Sequence, residues 1–244
     1  MCRSAVLYDG ELDGETWRFG TSGWLYQSNK LMYDLRTDSL WHALTGEPVI
    51  GTLANSGLRL KQLPITTTTW GEWREAHPDG KVLSVNTGVR RRYLHHNEPG
   101  AAYSDYFSDP GLMFPVFSHD DRLRPKDEVL AIRYNGSAGA YLLDALAKRP
   151  VLNDALGGQD FVIVTDPGSR AARVYERAGH EFMAGASPRE LKDSAGGEWR
   201  VEEARLVAKN GGRILERLPS HTAYWFGWRA FYPDSVVFGV RSRP

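Results

Sequence analysis

Leu60, Leu63, Pro64, Trp70, Trp73, Pro78 and Asp79 recur as Leu215, Leu218, Pro219, Trp225, Trp228, Pro233 and Asp234. The offset is constant: 215 − 60, 219 − 64, 228 − 73 and 234 − 79 all give 155. A register that matches tryptophans and prolines points to an internal duplication, and repetition narrows the folds open to a chain before any residue-level reasoning. Upstream the match loosens. Ser39-Leu40-Trp41 faces Gly197-Glu198-Trp199, and Ala5-Val6-Leu7-Tyr8 faces Ala172-Arg173-Val174-Tyr175, so loops of unequal length separate the matched pieces. With 244 residues and 41% hydrophobic content the chain can bury a core in one large domain or two joined halves. The expectation is an α+β, β-rich, internally duplicated fold whose halves pack into one unit. The first repeat spans 1–87, a long connector 88–128 and the second repeat 129–244.

Local patterns fill in this outline. Residues 5–8 and 16–19 read as strands, with Asp13-Gly14 as a hairpin turn because both residues tolerate positive φ. Residues 31–33 and 40–44 are short apolar pieces flanking a polar turn, and Thr45-Gly46-Glu47-Pro48 breaks the chain before Val49-Ile50. Leu58, Leu60 and Gln62 alternate as a strand. Residues 69–76 form a short helix, with Thr69 as cap and Glu72 three positions on as in a capping box. Pro78 stops it, and Trp70 and Trp73 share a face that should pack on a sheet. In the second copy Ser220 or Thr222 is the expected cap and Pro233 the stop. Residues 129–175 read as an αβ module: strand 129–132, turn Asn135-Gly136, helix 142–148 and buried strand 161–164, with Asn153-Asp154 and Gly157-Gly158 in turns. Residues 88–126 are a connector rich in aromatic and charged side chains, and connectors this long usually cover something. It should lie across the first half and close one side of a pocket.

The stretch from 21 to 51 looks least like scaffold. Ser22, Tyr26, Ser28, Asn29, Tyr33, Asp34, Trp41, His42 and Thr45 combine hydrogen-bonding groups with apolar bodies or neighbours, a mixture that lines pockets. Other chemistries find little support. Thirty basic and thirty acidic residues cancel, which argues against electrostatic capture of nucleic acid; Arg90-Arg91-Arg92 reads as a solvated loop. No apolar run reaches the ~20 residues of a membrane span, and strand-like sequence begins within the first ten residues, so no signal peptide is expected. One cysteine, Cys2, excludes an internal disulfide or a cysteine-cluster metal site within a single chain. His95-His96 and His119-Asp120-Asp121 lack zincin spacing, Gly136-x-x-Gly139 lacks a downstream Gly-Lys-Ser/Thr, and Gly20-Thr21-Ser22-Gly23 is not a nucleophile elbow.

The chain also carries a resemblance. Cys2-Arg3-Ser4-Ala5-Val6, Phe19-Gly20-x-Ser22-Gly23, Leu25-Tyr26-x-Ser28-Asn29, Met32-Tyr33-Asp34, Ser39-Leu40-Trp41, Leu44-Thr45-Gly46-Glu47, Thr69-Trp70, Asp121-Arg122-Leu123 and Asn153-Asp154 resemble the bacterial and archaeal family called domain of unknown function 3179, over essentially the whole length. The family name brings little biochemistry. The resemblance does imply a start that is cut short: members have Cys-Pro-x-Cys where this chain opens, with Met1 at the x and Cys2 as the second cysteine. They also have an earlier copy of the 129–164 module, and the duplication independently asks for the same upstream equivalent. Some members are similar to selenoproteins at this motif. A selenocysteine codon there would be read as a stop, with a restart at the next methionine, the place Met1 occupies. Export is implied for full-length members.

Two functional classes follow. In the first, Cys2 is a redox thiol, or a ligand to a soft metal such as copper, beside a pocket shaped by Ser22, Tyr26, Asn29 and Asp34. A small molecule or a redox partner would then be its counterpart. In the second, the chain is a non-catalytic small-ligand-binding protein and Cys2 is an ordinary small buried residue. The second copy has Ser169 opposite Cys2 and the shorter stretch 186–193 in place of 21–34, so the residues that only the first copy has are the site candidates. No cofactor is named by the residues, an uncovered strand edge in the first half would favour a homo-oligomer, and neither enzyme status nor compartment follows.

Overall fold

The computed structural model describes residues 2–90, 92–94 and 98–240; Arg91, His95 and His96 fall outside them. The first half opens with β1 (Leu7–Tyr8), the small hairpin β2 (Glu11–Leu12) and β3 (Glu15–Thr16), and then β4 (Phe19–Tyr26), β5 (Asn29–Asp34), β6 (Leu40–His42) and β7 (Pro48–Ile50). These last four form an antiparallel meander in sequence order. β8 (Gln62–Leu63) returns to pair with β1, Leu7 opposite Leu63 and Tyr8 opposite Gln62, and α1 (Trp70–Ala76) follows. Asp13-Gly14 does make a turn, between β2 and β3 rather than between the two strands expected to flank it. β4 was not legible as a strand, because two glycines and a register shift between Thr21 and Leu25 interrupt its alternation.

After the connector come β9 (Glu128–Tyr134), β10 (Ser137–Leu142), α2 (Leu143–Lys148), β11 (Val151–Leu156), β12 (Gln159–Thr165) and β13 (Ala172–Glu176). A second meander runs through β14 (Phe182–Ala184), β15 (Glu190–Asp193), β16 (Glu198–Val201), β17 (Arg205–Ala208) and β18 (Ile214–Glu216), before β19 (His221–Tyr224), α3 (Trp225–Arg229) and β20 (Val236–Phe238). The β9–β10 hairpin turns on Asn135-Gly136, both at positive φ as a type I′ turn requires. It sits inside a mixed sheet of order β19-β9-β10-β20. Asn153 and Asp154 belong to β11 rather than to a turn: Asn153 trades hydrogen bonds with the Phe182 backbone, and Asp154 accepts from the Tyr141 hydroxyl at 2.8 Å.

Strand content is 36% against 8% helix, so the cores are made by sheets. β12 is buried on both faces. Phe161 and Ile163 join a core with Leu130, Ile132, Tyr141 and Leu146, while Val162 and Val164 face Tyr175, Trp199 and Leu206. β9 divides in the same way, with Val129 and Ala131 turned toward Trp225, Trp228 and Leu44 of the first half. The two helices that carry the repeated tryptophans differ. Trp225 and Trp228 are fully buried, whereas α1 has no buried residue and Trp70 is 54% exposed, stacked on Trp73 at 5.1 Å. The core role expected of Trp70 therefore fails. Thr69 does cap α1, accepting from the Glu72 backbone N–H, but α3 starts at Tyr224 without any side-chain cap, because its first N–H groups go to the Asp127 and Pro125 carbonyls.

The halves meet along a line of polar contacts. Thr67 Oγ1 and Thr222 Oγ1 are 2.8 Å apart, Gln62 Nε2 donates to His221 Nδ1 at 3.1 Å, and Arg217 reaches the Thr66 hydroxyl.

Candidate functional site

Cys2 is drawn into the interior by its backbone, whose carbonyl accepts from the Tyr224 N–H at 2.8 Å. The side chain is 4% exposed and packed with Val116, Tyr224 and Phe226. Its sulfur is not in a purely apolar pocket: Asn29 Nδ2 donates to Sγ at 2.9 Å, and the Ser4 hydroxyl lies at 3.0 Å. Across from it stands Gly227 of α3. A Cβ there would lie 2.4 Å from the Cys2 Cβ, so only glycine lets the helix pass this close to the thiol.

Asn29 reaches the sulfur because of the turn before it. Gln27 and Ser28 both have positive φ (47° and 61°), which reverses the chain tightly between β4 and β5 and sets Asn29 at the start of β5. The same turn binds the connector. Ser28 Oγ donates to the Phe114 carbonyl at 2.8 Å, Gln27 Oε1 accepts from the Phe117 N–H at 3.2 Å, and Gln27 Nε2 donates to the Ala230 carbonyl at 3.1 Å. The connector thus closes over Cys2, with Val116 between two of these ties. Nearby Tyr106 has its hydroxyl pushed up to about 12 by burial, with Tyr224 and Cys2 adding to the effect. The Asn29 side-chain oxygen, Oδ1, is buried with no hydrogen-bond partner among the described residues.

The remaining candidates do not converge on one space. Ser22 Oγ donates to its own hairpin at Leu31 O, and Tyr33 lays its ring across Gly20. Asp34 is buried and fully engaged, accepting from the Arg36 and Thr37 N–H groups, the Thr37 hydroxyl and Trp41 Nε1 at 2.9 Å. Burial alone would raise its pKa; those donors outweigh it and hold the carboxyl below its ordinary range. Asp193 in the second half makes the matching set with the Ala195 and Gly197 N–H groups and Trp199 Nε1 at 2.9 Å. Tyr26 meets His42 edge-on and Phe231 at a tilt, while Thr45 donates its backbone N–H to His42 Nδ1 and leaves its hydroxyl without a partner.

Two surface clefts lie elsewhere. One of about 660 Å³ is bordered by Glu72, His77, Arg173, Ser187, Arg200 and Glu203; another of about 490 Å³ is enclosed by connector residues including Tyr103, Asp109 and Met113. Among the described residues no group of three or more His, Cys, Asp or Glu stands together as a metal site, and no helix is long and apolar enough to cross a membrane. Gly227 and Gln27 were not singled out from the sequence. The 155-residue offset was the available signal for Gly227, since it places glycine where the first copy has Glu72.

A family model described as protein of unknown function (DUF3179) matches residues 1–235. The chain belongs to this family. The match takes in both Cys2 and Gly227, so thiol and facing helix lie inside the DUF3179 region. No curated protein and no solved structure matches the chain.

Proposed function

We propose that this DUF3179 protein is a thiol-dependent redox protein that works through Cys2. The observation that carries the reading is the Asn29 Nδ2 to Cys2 Sγ contact at 2.9 Å, with the Ser4 hydroxyl at 3.0 Å. A cysteine that only fills space needs neither contact, whereas a sulfur that takes on and releases charge during exchange is steadied by the Asn29 donor and by a hydroxyl able to turn its proton toward it. The step is thiol–disulfide exchange. Cys2 Sγ attacks a disulfide R–S–S–R′, the Cys2–S–S–R bond forms as the S–S bond breaks, and R′ leaves as its thiol with the proton Cys2 has given up. Access to the sulfur requires the connector around Val116 to lift, breaking the Ser28 to Phe114 and Phe117 to Gln27 hydrogen bonds.

The test is incubation of the folded protein with oxidised glutathione and intact-mass analysis. A single adduct on Cys2, abolished in Cys2→Ser and changed in rate in Asn29→Ala, is the expected result. Should modification occur only at the rate of global unfolding, Cys2 is a core residue and the reading fails. In that case a ligand-induced thermal shift that survives Cys2→Ser would move the function to non-catalytic binding.

We also infer that the halves arose by duplication. Three pairings support this. Tyr8 pairs with Gln62 and Tyr175 bridges to Arg217, residues related by the constant offset on the second member. Asp34 holds Trp41 as Asp193 holds Trp199. The contact of Thr67 with Thr222 joins positions 155 apart, and Gln62 to His221 has its counterpart in Arg217 to Thr66. These are the contacts a pseudo-twofold axis through Thr67 and Thr222 would generate.

A further inference from the structure

We propose that residues 66–69, α1 and residues 81–85 form a docking surface for a β-hairpin built like β9–β10 and carried by polypeptide other than residues 1–244. The proposal rests on the duplication inferred above, which relates a covered surface in the second half to a bare one in the first. In the second half the cover is the β9–β10 hairpin. β19 pairs antiparallel with β9 through His221↔Ala131 and Ala223↔Val129, and β20 lies parallel to β10 with Val237 opposite Ala140. Trp225 and Trp228 of α3 are sealed against that hairpin.

Subtracting 155 carries β19 to residues 66–69, Trp225 and Trp228 to Trp70 and Trp73, and Val237 and Val240 to Val82 and Val85. Those four apolar positions hold the same residues in both halves. In the first half, however, Trp70, Val82 and Val85 are exposed, and so is Leu83 between the two valines. The backbone alongside is open too. Tyr224 gives its N–H to Cys2 and Trp225 gives its own to Asp127, the residue before β9, so alternation along the strand turns the His221 and Ala223 N–H groups toward β9. Their counterparts belong to Thr66 and Thr68, and among the described residues neither donates to a backbone carbonyl. The threonine side chains are engaged: Thr66 with Glu203 and Arg217, Thr67 with Thr222, and Thr68 with Glu72. Those bonds leave the edge open, because His221 and Thr222 make the matching ones, to Gln62 and Thr67, while their backbones pair with β9. They hold the segment in place for a partner strand.

The covered half states what the occupant must look like. Trp225 and Trp228 are met by Ala131 and Ala140 of the hairpin, small side chains that leave room for two indoles in a close-packed core. The identical pair Trp70 and Trp73 asks for the same, a hairpin with alanine or valine on its tryptophan-facing side and one strand edge free to pair with residues 66–69. A second copy of this chain cannot supply it, since β9–β10 in each copy is already held between β19 and β20.

A peptide of residues 128–142, the hairpin that fills the matching surface, is the probe; cyclising it through a D-proline–glycine turn keeps it a hairpin in water. It is added to the full chain, and hydrogen exchange is read at single amides. The Thr66 and Thr68 amides should slow about tenfold at a peptide concentration about ten times its dissociation constant. A peptide carrying Ala131→Phe and Ala140→Phe should bind at least ~10-fold more weakly, because its bulk meets the tryptophans. In a Trp70→Lys, Leu83→Lys variant of the chain, where both replaced side chains are exposed, the protection should be lost. No binding at about 1 mM peptide would overturn the proposal, as would protection that falls on β19 or survives the double variant. Slowing of Thr66 and Thr68 by higher protein concentration alone would give the surface to a second copy and overturn it equally. None of those outcomes touches the duplication itself, which is judged on contacts within one copy.

Discussion

His42 and His221 are buried imidazoles, at 1% and 2% exposure, and each has its tautomer fixed by a neighbour. The Thr45 N–H donates to His42 Nδ1 and the Gln62 amide to His221 Nδ1, so in both rings the remaining proton sits on Nε2, which has no hydrogen-bond partner. Burial holds His42 down to about 4. For His221 burial, helped by the Arg133 charge, takes it to about 3. In the unfolded chain both rings titrate near 6.5. Below that pH the unfolded state takes up protons that the folded state refuses, so stability is full above the unfolded value and falls as pH drops toward the folded values. Each imidazole then removes about 1.4 kcal/mol per pH unit, or about 2 kcal/mol between pH 7 and pH 5. Together they remove about 4 kcal/mol, a large part of the ~5–15 kcal/mol typical of a folded domain. The carboxyl groups held below their ordinary range, Asp34, Glu72 and Asp193, ionise lower still and leave this window to the histidines. Urea denaturation at pH 7 and pH 5 reads the effect directly: with a slope near ~2 kcal/mol/M the midpoint should drop by about 2 M, and by about half that in His42→Leu or His221→Leu. A wild-type loss below about 1 kcal/mol, or an unchanged pH slope in either variant, would refute the reasoning.

Two further outcomes follow from the packing. Asp34→Ala and Asp193→Ala should each cost about 2–4 kcal/mol, because each leaves a buried indole N–H and two backbone N–H groups without their charged acceptor; equal urea midpoints for variant and wild type would count against it. Gly227→Ala forces its Cβ against Cys2, so it should both destabilise the fold by about 1–3 kcal/mol and raise the alkylation rate of Cys2 in the native state; an unaltered alkylation rate would mean that α3 does not confine the thiol.

Strands that alternate or run apolar were legible from the sequence, as residues 129–132 and 161–164 show, because a strand buried on both faces leaves a run of branched side chains whatever packs against it. The short helix at 69–76 was legible through its cap. Trp70 was not, since the pattern that marks a helix face says nothing about whether a sheet lies opposite. In the second half β9 is there; in the first, nothing in the described residues is. Among the site candidates, Asn29 and Ser28 were found next to Cys2 and the connector, while Asp34 and Trp41 turned out to hold one another. An aspartate immediately before a turn and a tryptophan beyond it look the same in sequence whether the carboxylate serves a ligand or an indole. The second copy held the clue, for Asp193 and Trp199 repeat the pair without the rest of the stretch.

On the duplication reading, the difference between the halves bears on the proposed role of Cys2 more directly than either half alone. On the duplication reading Ser169 stands for Cys2, and Glu72 for Gly227. In the first pair the hydroxyl of Ser169 donates to the Glu72 carboxylate, which also takes Arg173 at 2.9 Å and the Thr68 hydroxyl, so the position is a closed structural ion pair. In the second pair the carboxylate is gone along with its volume, and the hydroxyl has become a thiol. A carboxylate beside the sulfur would oppose negative charge on it by like-charge repulsion; glycine removes that opposition and leaves Asn29 and Ser4 as the groups that touch Sγ by hydrogen bonding. On the duplication reading the exchange of Ser–Glu for Cys–Gly replaces a charge-paired junction with a neutral one in which the sulfur accepts from Asn29 and shares a hydrogen bond with the Ser4 hydroxyl, and this contrast supports the proposal that Cys2, rather than the aromatic residues around it, is the reacting group.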